Sequence, residues 1–384
     1  MDNVNKPASL PQDTSSSDKP SQNELPQDEP LQGKRLQAPK LEAKQLMVAK
    51  WLSLAPLYKL PVTLFRYVFL AMDRVLGLTK IEMDKVINLT VPVSAGTPFM
   101  GTIPLNEHSA SVTSTSNNSN NGNDSNKSNS TIKLRIYHPS ANKPQKTLVY
   151  FHGGGGVIGS INTHDHFCRY LAKHGNMNII SVDYRLAPEH KFPIPICDAI
   201  EAWNYINANH QQLNINPQHI GVGGDSAGGY LACIIGLHSL QTSLPVQAKV
   251  TPAFQFLIYP MVDLQGLTES YRRFNKQLIL TRDLMDYFRL KYLHSLDEVT
   301  LPLVSPLQAA DISESPKSYI LTLGFDPLRD DGIAYAQRLK AAGINTQHQH
   351  YDDCMHGFIS ITKLSPRAKQ ATHNIAMALN SFNE

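Results

Sequence analysis

The chain has 384 residues, 41% of them hydrophobic and 17% charged, enough to bury a large core and unlike a membrane-embedded or wholly disordered chain. A net charge of +3, with no dense Lys/Arg run among aromatics, excludes a nucleic-acid surface. The four cysteines, Cys168, Cys197, Cys233 and Cys354, lie far apart without C-x-x-C spacing, which excludes a zinc knuckle or a disulfide framework and points to a reducing compartment.

In chain order, residues 1–40 are rich in Ser, Pro, Gln and charge, and such a segment cannot offset its ordering entropy by burial. A disordered low-complexity tail is expected. It has no basic stretch followed by an apolar one, so no secretory signal is read and a cytoplasmic location is expected. Across residues 41–90 apolar side chains recur at helical spacing (Leu46, Met47, Trp51, Leu54, then Leu64, Val68, Phe69, Met72), which predicts two or three helices that cover something. The apolar stretch from Leu60 to Leu78 is broken by Arg66, Asp73 and Arg74, so it reads as an amphipathic packing helix and no stable membrane span is expected. A Ser/Asn-rich run, residues 109–130, separates two strand-like runs, Val86–Val93 and Thr131–Tyr137, and reads as a flexible hairpin-tip loop.

Past residue 145 short apolar runs alternate with helical stretches. Strands are predicted at Thr147–Phe151, Asn178–Asp183, His219–Gly223, Ala253–Tyr259, Ser318–Leu323 and Thr346–Tyr351, with helices near 165–174, 195–209, 227–242, 330–342 and 365–382. This predicts an α/β fold with a mostly parallel sheet covered on both faces, and ligands at the carboxyl ends of its strands. The helical stretch Thr281–Leu293 interrupts the alternation and reads as an insertion over that same edge.

Gly224-Asp225-Ser226-Ala227-Gly228 follows a predicted strand and opens a predicted helix, the context in which G-x-S-x-G forms a strained elbow presenting a nucleophilic serine. His152-Gly153-Gly154-Gly155-Gly156 follows the strand ending at Phe151, and amides in so bare a loop can approach a developing oxyanion. Gly154 and Gly155 are the expected donors, with the Ala227 amide as the third, and His152 is expected to anchor the loop. Gly153, Gly224 and Gly228 support the two motifs. A serine nucleophile needs a base and the base needs an acid. Of 15 histidines, His356 is best placed, just after the last predicted strand. Asp326 follows the strand ending at Leu323 and is the expected acid. Asp330 and Asp331 suit helix capping, while Asp352 and Asp353 share the loop of His356 and converge on it awkwardly. His164, Asp165 and His166 begin a helix without further matching ligands, so no metal site is expected.

These residues resemble the hormone-sensitive-lipase family of α/β-hydrolases, the bacterial lipolytic family IV. The likeness runs from Leu148 to the C-terminus through His152–Gly155, Asp183-Tyr184-Arg185-Leu186-Ala187-Pro188-Glu189, Gly224–Gly229, Tyr259-Pro260, Asp326–Asp330 and His356-Gly357-Phe358. It implies an eight-stranded hydrolase sheet, a helical cap made of the N-terminal segment and an insertion at about 264–304, a core over 91–384, no cofactor, and a small-molecule ester of short to medium chain as substrate. It also implies that Glu189 orders the oxyanion loop. Amidase or long-chain lipase activity, or ligand binding without catalysis, stays open, as does a monomeric or dimeric state. Two positions depart from the pattern: Gly156 replaces a bulky aromatic, which is expected to loosen the pocket beside the oxyanion loop, and Tyr230 replaces Asn.

Overall fold

The computed structural model of the chain describes residues 40–94, 130–140 and 145–382. The expected tail, Lys40 excepted, and the Ser/Asn-rich loop, Ser130 excepted, lie outside the described residues. The strands are β1 (Lys85–Pro92), β2 (Thr131–His138), β3 (Gln145–Phe151), β4 (Asn178–Asp183), β5 (Ile215–Asp225), β6 (Phe254–Ile258), β7 (Lys317–Phe325) and β8 (Thr346–Met355). The helices are α1 (Ala43–Leu54), α2 (Val62–Leu76), α3 (Asp165–Gly175), α4 (Ile194–Ala208), α5 (Ala227–Gly236), α6 (Glu269–Arg273), α7 (Arg282–Tyr292), α8 (Arg329–Ala341) and α9 (Pro366–Phe382).

The strands form one sheet in the order β1-β2-β4-β3-β5-β6-β7-β8, in which β2 runs antiparallel to β1 and β4 and the pairs from β4 through β8 are parallel. Alternation along the central strands sorts the core into two layers. Val149 and Phe151 of β3 join Val222 and Ile320 in packing with α4, α5 and α8, while Leu148 and Tyr150 join Phe256 and Leu321 in packing with α3 and α9. Burial on both sides is why β3 and β4 read as continuous apolar runs rather than as alternating ones.

β5, β7 and β8 extend furthest beyond their expected bounds. β5 starts at Ile215 and continues to Asp225, β7 runs on through Gly324 and Phe325, and β8 reaches Met355. This corrects the placement of Asp352 and Asp353: both belong to β8, and neither shares a loop with His356. Their polarity concealed the strand, because β8 is the last strand of the sheet and its outer positions face water. In the other direction, α5 stops at Gly236 rather than 242, since the buried Gln241 turns its Nε2 onto the carbonyls of Ile234 and Ile235 and ends the helix.

Candidate functional site

Ser226 sits between the end of β5 and the start of α5 with φ 54° and ψ −118°, in the half of backbone space that a non-glycine residue enters only under constraint. Constraint comes from both sides: its N–H donates to Ile258 O, and its carbonyl accepts from Tyr230 N and Met261 N. The elbow is too tight for a side chain two residues on, since a Cβ on Gly228 would lie 1.8 Å from the Phe151 carbonyl oxygen. Gly224 is packed in the same way, with Phe151 O at 2.3 Å from a built Cβ.

His356 is the first residue past β8. Its Nε2 lies 2.9 Å from Ser226 Oγ, and its Nδ1 lies 2.7 Å from Asp326 Oδ2. With the ring proton on Nδ1, the imidazole donates to Asp326 and accepts from the serine hydroxyl. The carboxylate is fixed by its other oxygen, which accepts from Leu328 N at 2.8 Å, and all three residues are buried, Asp326 to 1% exposure. The alternatives point elsewhere: Asp352 pairs with His350, Asp353 with Arg367, and Asp330 accepts from Ser270 N.

The glycine loop is tied down residue by residue. Gly154 O accepts from Val157 N and Ile158 N, Gly156 O accepts from Ala187 N, and Gly153 N donates to Asp225 Oδ1. The amides of Gly154, Gly155 and Ala227 donate to no protein acceptor among the described residues. His152 lies under this loop, its Nδ1 2.9 Å from Gly153 O and its ring stacked on Tyr184. Burial, with the charge of His164 adding to it, pushes His152 down to about 3, so the ring is neutral at ordinary pH.

One part of the site was not read from the sequence. Asp225, the variable residue of the elbow motif, accepts from Tyr150 OH at 2.6 Å and from Gly153 N, and it meets His164 Nε2 at 3.2 Å. Burial works against both charges, but the attraction between them, with the Tyr150 hydrogen bond on Asp225, outweighs it. His164 is held above the ordinary imidazole value and Asp225 below the usual carboxylate range. His164 turns to Asp225, while its neighbour Asp165 turns to Arg135, Arg169 and Tyr137. No group of three or more His, Cys, Asp or Glu among the described residues is arranged to hold a metal.

A largely apolar cavity of about 430 Å³ opens onto Ser226 and His356. Leu57, Phe65, Phe69 and Met72 of the N-terminal segment line it, as do Leu284 and Phe288 of α7 and Gly153, Gly154 and Gly155 of the loop. The loosening expected at Gly156 does not occur, because the space is filled from elsewhere. The Tyr292 ring stands 2.9 Å from where a Cβ would be, so α7 supplies the missing bulk, and only a void of about 10 Å³ remains there. Tyr230 completes this filling: its hydroxyl donates to Leu303 O and lies 3.2 Å from that of Tyr292.

Asp331 corrects a second expectation. It lies in the first turn of α8 but is buried, with Oδ2 unpartnered among the described residues, and so it does not act as an exposed carboxylate on the helix dipole. Burial, with Asp263 adding to it, pushes its carboxyl from 3.8 up to about 8. A group held protonated in the fold but ionised in the unfolded chain contributes stability that is fully present below the unfolded value and lost as pH rises through the folded one. Asp331→Asn is therefore expected to raise the thermal midpoint at pH 8 by a few degrees, at about 2–4 °C per kcal/mol, and by less at pH 5. Thermal unfolding at the two pH values checks this, and a gain that fails to grow with pH counts against it.

Residues 148–360 match the family described as alpha/beta hydrolase fold. Among curated proteins, the chain is 34% identical over 253 residues to a carboxylic ester hydrolase, LipN, of Mycobacterium tuberculosis, an alignment covering 65% of this chain and 67% of that protein. It is 35% identical over 253 residues to an arylesterase of Saccharolobus solfataricus, covering 65% and 79% respectively. Among solved structures, an ester hydrolase from the metagenome of Lake Arreo, complexed with a bipyridine phosphonate derivative, superposes with a TM-score of 0.75 at 32% identity, covering 89% of this chain and 98% of that one.

Proposed function

This chain belongs to the α/β-hydrolase family as a hormone-sensitive-lipase-like carboxylic ester hydrolase, and on that premise we propose that it cleaves short- to medium-chain carboxylic esters through an acyl-enzyme on Ser226. His356 takes the serine proton as Oγ attacks the ester carbonyl, and Asp326 holds the imidazole in the required tautomer and offsets its charge. The amides of Gly154, Gly155 and Ala227 receive the oxyanion. His356 then protonates the departing alcohol and activates a water that releases the acid. No cofactor enters this scheme.

The observation that carries this reading is the unbroken line from Asp326 through His356 to Ser226, at 2.7 and 2.9 Å, ending beside three amides without protein acceptors among the described residues. The helices of residues 41–90 and of the insertion at about 264–304 act as the cap, and their apolar side chains receive the acyl chain. Four buried free cysteines support a cytoplasmic setting. No helix among the described residues is long and apolar enough to cross a membrane.

A p-nitrophenyl ester series from acetate to hexadecanoate tests the substrate class. A cavity of about 430 Å³ predicts that kcat/KM climbs while added methylenes are buried, each worth about 0.8 kcal/mol. It then falls by about tenfold or more at the long end, where the chain outgrows the pocket. A continued rise to hexadecanoate, or faster cleavage of the matching anilides, would replace this reading with a lipase or an amidase.

A further inference from the structure

Glu189 carries the expectation of ordering the oxyanion loop, but its carboxylate oxygens meet Arg66 of α2, and it is Arg66 that reaches the loop. The Arg66 guanidinium makes four hydrogen bonds in one plane. Nε donates to Val157 O at 2.9 Å, Nη1 to Glu189 Oε1 at 2.9 Å, and Nη2 to both Glu189 Oε2 and Ala187 O at 2.8 Å. Two of these acceptors belong to the frame of the glycine loop. Val157 donates its N–H to Gly154 O, and Ala187 donates its N–H to Gly156 O. The fork thus closes a ring that fixes the Gly154–Gly155 and Gly156–Val157 peptides, which flank the Gly155–Gly156 unit of the loop, from a helix far away in the chain. The same helix presents Phe65, Phe69 and Met72 to the cavity, so the wall that would touch a bound acyl chain and the group that braces the loop are one rigid unit.

We propose that Arg66 is a positioning residue for the oxyanion loop, so that seating of helix α2 over the cavity and completion of the oxyanion-binding amides are a single event. Glu189 orients the guanidinium and reaches the loop only through it. Lysine cannot replace the fork, since one ammonium on a flexible stem cannot hold two carbonyls and a carboxylate in a fixed plane. The role of α2 is then to do more than cover the pocket: its departure would release Val157 O and Ala187 O and let the loop relax. This inference rests on the ester-hydrolase reading of the same site.

The test is Arg66→Met and Arg66→Lys assayed on p-nitrophenyl acetate and p-nitrophenyl octanoate beside the wild type, with thermal unfolding of each. Acetate carries a single methyl beyond its carbonyl and buries far less apolar surface than octanoate, so a change in the wall alone affects it least. Misplacing oxyanion donors slows every ester alike, by about 10- to 100-fold. We expect Arg66→Met to lower kcat by that factor on both esters with KM little changed, and Arg66→Lys to give a smaller fall, again equal on the two. A loss confined to octanoate, or carried by KM, would assign Arg66 to the wall and overturn the proposal. Should Arg66→Met not fold, Arg66→Lys decides alone: wild-type rates on both esters overturn the proposal and an equal fall supports it. An inactive wild type would overturn the ester-hydrolase reading and this proposal together, whereas an active wild type with unaffected variants overturns only the role of Arg66.

Discussion

Replacing Ser226 with alanine is expected to lower kcat on a p-nitrophenyl ester by about a millionfold while leaving the fold intact, the scale seen when the nucleophile of a serine triad is removed. The residue is small, and its removal takes away only an oxygen that accepts no backbone hydrogen bond. The conformation at φ 54° is held by the backbone bonds to Ile258, Tyr230 and Met261, none of which involves the side chain. Thermal midpoints of the two proteins should therefore agree within a degree or two, and substrate should still bind in the cavity. A variant that kept a tenth of wild-type turnover would remove Ser226 from the mechanism. Such a result would also leave the strained elbow without a purpose, since strain of this kind costs about 1–3 kcal/mol and persists where a function uses it.

The second large effect is expected at Asp326. Asp326→Asn preserves shape and burial but removes the charge that selects the Nδ1-protonated tautomer of His356, and an amide that turns its NH₂ toward Nδ1 favours the wrong one. A fall in kcat of about ten-thousandfold follows from that loss. The neighbouring carboxylates make the comparison sharp. Asp352→Asn breaks an exposed pair with His350, and Asp353→Asn breaks the pair with Arg367; neither contacts His356. Each should stay within a few-fold of wild type, because neither carboxylate touches the reacting residues and contacts this near the surface contribute about 0–1 kcal/mol. Rates measured on the three variants at pH 8 check this ordering. A larger loss from Asp353→Asn than from Asp326→Asn would reassign the acid.

Much of this site could be read before any coordinates, and the reason is chemical. A nucleophile at a strand-to-helix turn needs residues without side chains on both sides, so Gly224 and Gly228 mark the place. A loop that offers backbone amides needs the same, so Gly153 to Gly156 mark the second. His356 and Asp326 were legible because parallel sheets bring the carboxyl ends of their strands together. The far ends of β7 and β8 were less legible, since Gly324 in β7 and the polar pair Asp352 and Asp353 in the edge strand β8 carry no apolar signal.

What lay beyond the sequence is what depends on contact across the chain. Asp225 reads as filler within the elbow motif, and only the fold brings Tyr150, Gly153 and His164 around it. Gly156 read as a loss of bulk because Tyr292, which replaces that bulk, lies on a helix whose position the sequence does not specify. Asp331 looked like an ordinary first-turn carboxylate until its burial was known. Arg66 looked like the polar face of an amphipathic helix, although its acceptors lie 91 to 123 residues further along the chain.

The central claim is that Ser226 is an activated nucleophile, and the most direct measurement is covalent. The wild-type protein is treated with a p-nitrophenyl alkylphosphonate, digested and mapped by mass spectrometry, beside the His356→Ala variant. One phosphonyl adduct per chain is expected, on the peptide containing Ser226, formed in step with loss of esterase activity and nearly absent from the variant. An adduct on another residue, or an active enzyme that loses no activity and takes up no label, would contradict it.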